Sequence, residues 1–497
     1  MSWQVRVVRD RYVDSVRLMK VAHGVRERDD VARAEVAMGT AANLEALGAL
    51  GVRCEASPTD VVIAVDAPAD VAAAALDGAE RELHSSPAAA AGERPALDPP
   101  RSLTAAARAL GDANLALISV PGEYAALEAH RALTEGLHVF LFSDHVPAAD
   151  EVALKRRGAE RGLLVMGPDC GTAMLGDVGL GFANVVRSGP VGIVAAAGTG
   201  AQEAAVLLDA TGVGVSHIVG VGGRDLSARV GGIMFGEAMR MLAADAGTET
   251  LLLVSKPPAR EVVERLGEIE LDGKRVVAAF VGWDGDAAPF EIHPTLDAGA
   301  FAAARVAPPA LDALCEQVDA LGTRRDGAEG RLLGLYSGGS LAREALTVLR
   351  GALGSIGGNV GDGGEARRRI SSYDTGGHAL FDLGAEEYTQ GRPHPMVDLD
   401  VRLGMLESAA SDYRVGCVLI DVVLGRGAHP DPAGGLAPAL GRLARDRTVI
   451  AHVCGTAGDP QDAGRQEAAL RDAGVVVAPT NAAAARLAAR ALTGAPA

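Results

Sequence analysis

The chain has 497 residues, of which 48% are apolar and only 3% aromatic, with 63 glycines and a formal net charge of −17. That length exceeds a single core and implies three or four domains. The acidic balance, with no Lys- or Arg-rich run beyond Arg367-Arg368-Arg369, excludes nucleic acid or an anionic membrane as the main partner.

The five cysteines, Cys54, Cys170, Cys315, Cys417 and Cys454, are scattered, with no C-x-x-C pair, and read as reduced thiols of a cytoplasmic protein. The opening "MSWQVRVVRDRYVDS" carries charge too early for a signal peptide, and no apolar run is long enough to span a membrane. Residues 1–83 read as a small α+β, ferredoxin-like unit. It has a strand in "QVRVVRDRYV", a helix in "DSVRLMKVAHGVRER" capped by Asp14, strands in "ARAEVAM" and "DVVIAVDA", and a closing helix, "ADVAAAALDGAERELH". Residues 84–101, rich in Pro, Ala and Ser and without apolar period, read as a linker.

From residue 102 the pattern turns to regular alternation of apolar strands and amphipathic helices, the mark of parallel sheets covered on both faces. Three such series follow, over 102–186, 187–324 and 331–497, the last two separated by the hydrophilic "RDGAEG". The expected fold class is α/β: a small appended unit followed by three doubly wound domains. Ligands in such sheets bind outside the carboxyl ends of the strands, which directs attention to the turns there.

The turn in "IVAAAGTGAQEAAVLLDATG" (Ile193 to Gly212) runs from a strand through Gly198, Thr199, Gly200 and Ala201 straight into a helix. Free amides and the helix dipole favour an anion in front of it, with Thr199 and Gln202 predicted as a capping box. Glu203 stands where the third glycine of a dinucleotide fingerprint would be, and no Gly-Lys-[Ser/Thr] makes a P-loop. A carboxylate so placed repels an anion unless it orients a cation such as a histidine. "GVGGRDLS" supplies Gly223, Arg224 and Asp225, either an anion fork or a pair that stitches the loop. "IDVVLGRGAHPDPAGGL" supplies Gly425, Arg426, Gly427 and His429 ahead of a helix with Asp431 as cap and Pro432 at its first position. "SGGSLARE" is a fourth turn of this kind, with Ser340 as predicted cap. His378, Arg392 and His394 fall in a poorly periodic stretch from Gly351 to Pro395, which is either an active-site element or a surface excursion. The sequence contains no His/Cys metal spacing and no Gly-x-Ser-x-Gly elbow.

Taken in order, "SVPGEYA", "LFSDHVP", "MGPDCGTAML", "GPVGIVAAAGTGAQEAAV", "VGVGGRDL", "LYSGGSLAREAL" and "CVLIDVVLGRGAHPDPAGGLAPAL" resemble the succinyl-CoA synthetase superfamily. "GFANVV" (with Asn184), "SKPP" and "DLGAEEYTQGRPHPMVD" resemble its FdrA branch of acyl-CoA-synthetase-like proteins. The resemblance covers residues 102 to 497. It implies a Rossmann-like CoA-binding-type domain and two flavodoxin-like domains of synthetase α and β type. It also implies that "AGTGAQE" and "LGRGAHPDP" lie at opposed helix N-termini holding a phosphate or a phosphohistidine, with Glu203 at the position that contacts that histidine.

The departures are equally informative. The Gly-His-Ala-Gly motif of the phosphohistidine is replaced by "AAFVGWDGDAAPFEIHPTL", whose one histidine is His293, and the ATP-grasp module and the glycine-rich CoA turn are missing. The expectation is an enzyme subunit that handles a ready-made acyl or carbamoyl phosphate, of oxamate carbamoyltransferase type in allantoin catabolism. Phosphate or acyl phosphate is then the ligand, CoA an open option, and no metal is expected. Arg224, Arg426 and Arg392 would hold anions, His429 or His394 would transfer the proton, and Asn184, Asp225 and His378 would line the substrate. The alternatives are a succinate–CoA ligase-like subunit with ATP-grasp in trans, or a regulatory scaffold. Hetero-subunits of one complex are implied, and a homodimer is compatible.

Overall fold

A computed structural model describes residues 3–84, apart from 12, 14, 27 and 29, and residues 100–285, 289–322, 330–360, 377–389 and 393–494. The predicted cap Asp14, the linker residues 85–99, Arg392 and the Arg367 cluster lie outside these residues. The chain divides into two compact units, Met1–Pro99 with Glu386–Pro393, and Pro100–Ala385 with His394–Ala497.

The first unit orders β1 (Trp3–Val8), α1 (Ser15–Arg26), β2 (Arg33–Met38), α2 (Ala41–Ala49), β3 (Val61–Asp66) and α3 (Ala69–His84). Its sheet runs β1-β3-β2, antiparallel throughout, with β3 buried along its whole length. Helix α2 goes beyond the elements predicted. Thr40 caps it by accepting from Asn43 N (3.3 Å), and its Leu47 packs with Val62 and Ala64 on one face of β3 while α1 and α3 cover the other.

The second unit begins with α4 (Leu103–Leu110), β4 (Leu115–Ile118), α5 (Gly122–Thr134), β5 (His138–Leu141), α6 (Ala148–Glu160) and β6 (Val165–Met166). These strands form a parallel sheet in chain order, β4-β5-β6, so right-handed crossovers place α5 and α6 on one face. The hairpin β7 (Thr172–Leu175) and β8 (Val178–Gly181) joins the next sheet instead, because β7 pairs with β10. The sheet boundary therefore falls before the predicted residue 186.

That next domain continues with β9 (Ser188–Ala195), α7 (Gly198–Ala210), β10 (Val215–Gly220), α8 (Ile233–Ala244), β11 (Thr250–Ser255) and α9 (Arg260–Gly267). It closes with β12 (Arg275–Phe280), β13 (Glu291–His293), α10 (Leu296–Ala304) and α11 (Asp312–Gly322). Its parallel part is ordered β10-β9-β11-β12-β13.

The last domain has β14 (Arg331–Tyr336), α12 (Gly339–Leu353), β15 (Ile356–Gly358) and β16 (His378–Asp382), followed by the short α13 (Glu386–Thr389), which groups with the first unit. Then come α14 (Asp400–Ser411), β17 (Val415–Val423), α15 (Pro432–Leu443), β18 (Thr448–Cys454), α16 (Ala463–Asp472), β19 (Val476–Ala478) and α17 (Asn481–Thr493). Its sheet is β15-β16-β14-β17-β18-β19. Apart from β15, this is the same order as in the preceding domain, second-first-third-fourth-fifth, the flavodoxin-like arrangement. The described parts of the aperiodic stretch from Gly351 thus supply two strands of this sheet, β15 and β16.

Because the two sheets share one order, their positions can be matched. Ala195 and Tyr336 each end the first strand, each three residues before a helix, so Gly198, Thr199 and Glu203 correspond to Gly339, Ser340 and Glu344. The predicted caps fail in both helices. The N-cap residues are Ala197 and Gly338, neither with a side-chain cap, while Thr199 and Ser340 lie inside the first turn. Gln202 is drawn instead to Asn184 and the Leu424 carbonyl. Asp431 does occupy the N-cap position of α15, but its side chain makes no cap bond, because Gln466 Nε2 (2.8 Å) holds it.

Candidate functional site

The helices α7 and α12 meet tip to tip. A Cβ on Gly338 would strike Thr199, and one on Gly200 would lie 3.3 Å from Ser340 Cβ. A side chain at Gly338 would force Thr199 to shift, while Gly200 is merely tight, so small residues let the two tips approach. Behind the tips, two glutamates are exchanged between the domains. Glu203 of α7 accepts from Asn481 N, the first amide of α17 (3.3 Å), and Glu344 of α12 accepts from Leu296 N, the first amide of α10 (2.5 Å). Each carboxylate therefore satisfies an orphan donor of the helix that follows the opposite domain's fifth strand and complements its dipole.

The exchange is electrically unequal. Glu203 Oε2 is bonded to His452 Nε2 of β18 (2.8 Å), and His452 Nδ1 meets the Ala478 carbonyl (3.1 Å), all of it buried. A carbonyl can only accept, so Nδ1 carries a proton, and pairing with the carboxylate places a second proton on Nε2. Burial alone would lower this imidazole, but Glu203, its hydrogen bond, the Ala478 carbonyl and Glu344 outweigh it and raise the group to about 9. Glu344 has no such partner. Burial, then Asp297 and Glu203, push its carboxyl up to about 8, with Asn481 Nδ2 donating to it (2.7 Å). Asp297 is held by Thr295, Thr480 and Arg486. Sequence reading singled out Glu203 but missed His452, Glu344 and Asn481. The available signal was the repeat of strand, small turn, helix and glutamate at the same offset in both domains.

The two tips differ in what neighbours them. Beside α12, Asp382 ends β16 opposite Tyr336, and a Cβ on Gly339 would strike its Oδ2. Asp421 of β17 accepts from Ser337 N (2.8 Å), Ser337 Oγ (3.0 Å), Gly338 N (2.9 Å) and the buried Arg402 (2.9 Å). At the corresponding places beside α7 the sheet register puts Gly220 and Val254. The α12 tip thus carries the chain's own carboxylates, while the amides of Gly198, Thr199 and Gly200 have no acceptor among the described residues.

Around the α7 tip the chain draws several segments together. Asn184, buried, donates to Leu424 O (3.2 Å) and Asp459 (2.8 Å) and accepts from Gln202 (3.0 Å). Arg426 N donates to Ala183 O (2.8 Å), and Gln461 brackets Gly425 by bonding its N (3.1 Å) and its O (2.9 Å). The Arg426 side chain stays exposed on the rim. Phe182 packs against Gly427 on one side and against the His394 ring on the other (centroids 5.9 Å). Met396 N donates to His394 Nδ1 (3.2 Å), so the ring proton sits on Nε2, beside Gly384 and Asp382. Burial, and secondarily Arg402, lower this imidazole to about 4. His429 is fixed in its loop, donating from N to Met396 O (2.7 Å) and accepting at Nδ1 from Asp431 N (3.1 Å).

Not every predicted site residue arrives there. His378 begins β16 whereas Asp382 ends it, so His378 lies at the opposite edge of the sheet, where its Nδ1 accepts from Leu332 N (3.0 Å). Arg224 and Asp225 do not pair with each other. Asp225 is wholly buried, paired to Lys155 (2.8 Å) and accepting from Phe235 N (3.0 Å) at the start of α8, while Arg224 pairs with Glu151 (2.9 Å). Gly223 lies beside Ala196, two residues before the α7 tip. His293 ends β13 and is bonded to Glu291 (2.9 Å).

Comparison with known proteins adds a family to this geometry. Residues 335–491 match the model described as CoA-ligase, and residues 1–98 the model described as AllF, heavy metal-associated domain. The protein YahF of Escherichia coli (strain K12), described as uncharacterized, is 34% identical over 503 residues, spanning 96% of each chain. The chain belongs to the FdrA-like, acyl-CoA-synthetase-type family. The α-2 subunit of succinate–CoA ligase [ADP-forming] from Trichomonas vaginalis is 31% identical over 178 residues, 34% of this FdrA-like chain and 56% of that subunit. The chain thus spans about half the length of that relative. The structure of PH0766 from Pyrococcus horikoshii OT3 aligns over 81% of this chain and 87% of that one at 16% identity, with a TM-score of 0.30, too loose to bear on the site.

The metal in the first unit's family description finds no donor set among the described residues. The unit's one cysteine, Cys54, is half-buried, and burial raises its thiol away from the thiolate form that binds metal. Among the described residues no three His, Cys, Asp or Glu side chains gather as ligands. No helix among them is long and apolar enough to cross a membrane.

Two outcomes follow from the buried exchange. Glu203→Leu strands the His452 cation and the Asn481 amide, and should destabilise the second unit by about 3–5 kcal/mol in equilibrium unfolding. His452 and Glu344 both hold protons in the fold that the unfolded chain releases earlier, since their ordinary values of 6.5 and 4.5 are raised to about 9 and about 8. Stability should therefore fall as pH rises from about 4.5 to about 9, through Glu344 first and His452 above about 6.5. The thermal midpoint should trace that decline, and the decline should be shallower in His452→Gln.

Proposed function

We propose that this chain is a subunit of an acyl-phosphate-using enzyme of CoA-ligase type, and that the phosphate sits at the N-terminus of α7. The observation that carries this reading is the contrast between the two matched helix tips. Both helices leave their first three amides without an acceptor among the described residues, but the α12 tip is furnished with Asp382 and Asp421, whereas the α7 tip has no carboxylate at the matching strand positions. The amides of Gly198, Thr199 and Gly200 with the helix dipole would bind the phosphate and stabilise the charge it gains as leaving group. Exposed Arg426 would reach it from the rim.

His394 is neutral at physiological pH with its proton on Nε2. It would serve as a hydrogen-bond donor to an oxyanion developing on the carbonyl rather than as a base. In carbamoyl transfer the acceptor nitrogen attacks the carbonyl carbon and loses a proton to a base, while the C–O bond to phosphate breaks and its electron pair leaves on phosphate. A carbamoyl phosphate and a short acid, in oxamate carbamoyltransferase-type chemistry of allantoin catabolism, fit this arrangement, with the remaining machinery on partner subunits. A second reading, favoured by the match to succinate–CoA ligase α subunits, is an acyl-CoA synthetase subunit that uses CoA and takes its phosphoryl group from an ATP-grasp partner. That reading requires a phosphorylated histidine on incubation with ATP and the partner, visible by mass spectrometry.

Gly198→Pro tests the proposal directly. Proline is tolerated at the first helical position, and Ala197 is already extended (φ −158°, ψ 107°), so the fold should hold while one amide is lost. Inorganic phosphate should raise the thermal midpoint of the wild-type chain. Gly198→Pro and Arg426→Ala should each weaken phosphate at least tenfold, about 1.4 kcal/mol. A wild-type midpoint unmoved by millimolar phosphate and carbamoyl phosphate would sink the reading.

A further inference from the structure

Helix α5 packs on β4 and β5 and against α4 and α6, and it turns Gly122, Ala125, Ala129, Ala132 and Leu133 into the core. Its opposite face carries Glu123, Tyr124, Leu127 and Arg131, all exposed. Tyr124 and Leu127 are 57% and 54% exposed, and with Leu110 and Leu117 they gather four large exposed apolar side chains into residues 110–127. Exposed apolar residues are ordinary one at a time, whereas a group of them marks a contact surface.

The charges beside this apolar pair say what covers it. Glu123, Leu127 and Arg131 are spaced i, i+4 and i+8, so they form one stripe with the leucine at its middle. The two charges stand about 12 Å apart along the axis, too far to meet within one helix. The Glu123 carboxylate has no hydrogen bond or ion pair among the described residues. Arg131 holds Glu128 (2.5 Å), an exposed pair on the helix surface that contributes little and leaves the guanidinium open to a second carboxylate. A stripe with opposite signs at its ends and an apolar centre is its own complement when reversed. Turned by a two-fold axis through Leu127, Glu123 of each copy faces Arg131 of the other. A parallel arrangement would oppose like charges at both ends.

We propose that α5 is a two-fold contact between two copies of this chain, packed antiparallel with Leu127 on the axis. Such an interface presents the same patch from both sides, as closed dimers require. Each Leu127 packs on its counterpart, Tyr124 covers the flank, and two Glu123–Arg131 pairs close the ends. Near-antiparallel helices that cross at about 20° keep these pairs within side-chain reach. The opposed helix dipoles favour the same orientation. A different protein would fit only by presenting this stripe in reverse, and a second α5 is such a stripe. The contact is independent of the chemistry at the α7 tip.

Sedimentation velocity on the full-length chain at low ionic strength tests this. The wild-type chain should form a reversible dimer at micromolar concentration, weakened by added salt because exposed ion pairs are screened. Glu123→Arg and Arg131→Glu should each weaken the dimer about tenfold or more. The two substitutions in one chain should restore it to within about threefold of wild type, since each reversed charge then meets a reversed partner. Leu127→Asp should also weaken it about tenfold or more, while the thermal midpoint of the dilute monomer stays at the wild-type value, which guards against misfolding. Leu127→Cys, placed on the axis, should cross-link to its counterpart with a short bis-maleimide, above the background set by the five native cysteines. A wild-type chain that stays monomeric at tens of micromolar overturns the proposal. A dimer that both single reversals leave within about twofold overturns it too, as does one that the paired reversal fails to restore.

Discussion

The second unit depends on the exchange of two buried glutamates between its flavodoxin-like domains. Glu203 and Glu344 each reach across to the first amide of the helix that follows the other domain's fifth strand, so the starts of α10 and α17 are completed from the opposite domain. Buried carboxylates are costly to desolvate, and they persist only where charge or hydrogen bonds compensate. On one side the compensation is the His452 cation; on the other it is proton uptake by Glu344 itself. Removing a partner leaves an orphan charge inside the interface, so the pairing specifies which domain faces which and in what register. That registration sets the α7 and α12 tips against each other.

The site is a consequence of this registration. Thr199 and Ser340 nest against glycines of the opposite turn, and the loops that follow β8 and β17 are laced to α7 through Asn184, Gln202 and Leu424. Phe182 then bridges the Gly427 turn and His394. Residues from three stretches of sequence, near 183, 200 and 425, thus share one neighbourhood because the domains cannot slide. The side chains around them are largely held by hydrogen bonds within the chain, although Gln202 Oε1, Tyr336 Oη, Arg402 Nε and Asn481 Oδ1 are buried without one.

Much of the architecture was legible in the sequence, since apolar strands alternating with amphipathic helices leave few options once both sheet faces must be covered. The small turns at 198 and 425 were legible for the same reason, because glycine marks where backbone must bend or approach closely. What was not legible was pairing across long separations. Glu203 and His452 are 249 residues apart, and no local pattern links them. Capping signals misled, because Thr199 and Ser340 are good N-cap residues by type, yet each lies two residues past the N-cap, inside the first turn. His378 was misplaced because a strand's polar ends look alike in sequence, while only its carboxyl end faces a ligand site in a parallel sheet.

The matched domains also show why a turn motif alone cannot assign an anion site. Both tips run strand, small residues, helix, and then glutamate at the sixth helical residue, so their intrinsic claim on an anion is equal. The difference comes from the neighbouring strands. At one position Asp382 stands where the other domain has Gly220, and at another Asp421 stands where it has Val254. Two carboxylates beside a helix start occupy the field that would attract a phosphate; a glycine and a valine leave it open. Asp421 could not remain buried without Arg402 and the Ser337 and Gly338 amides, so the α12 turn is committed to holding its own chain together. The same local geometry is therefore tied to its own chain's carboxylates in one domain and lies beside a glycine and a valine in the other, and the neighbouring strands decide which.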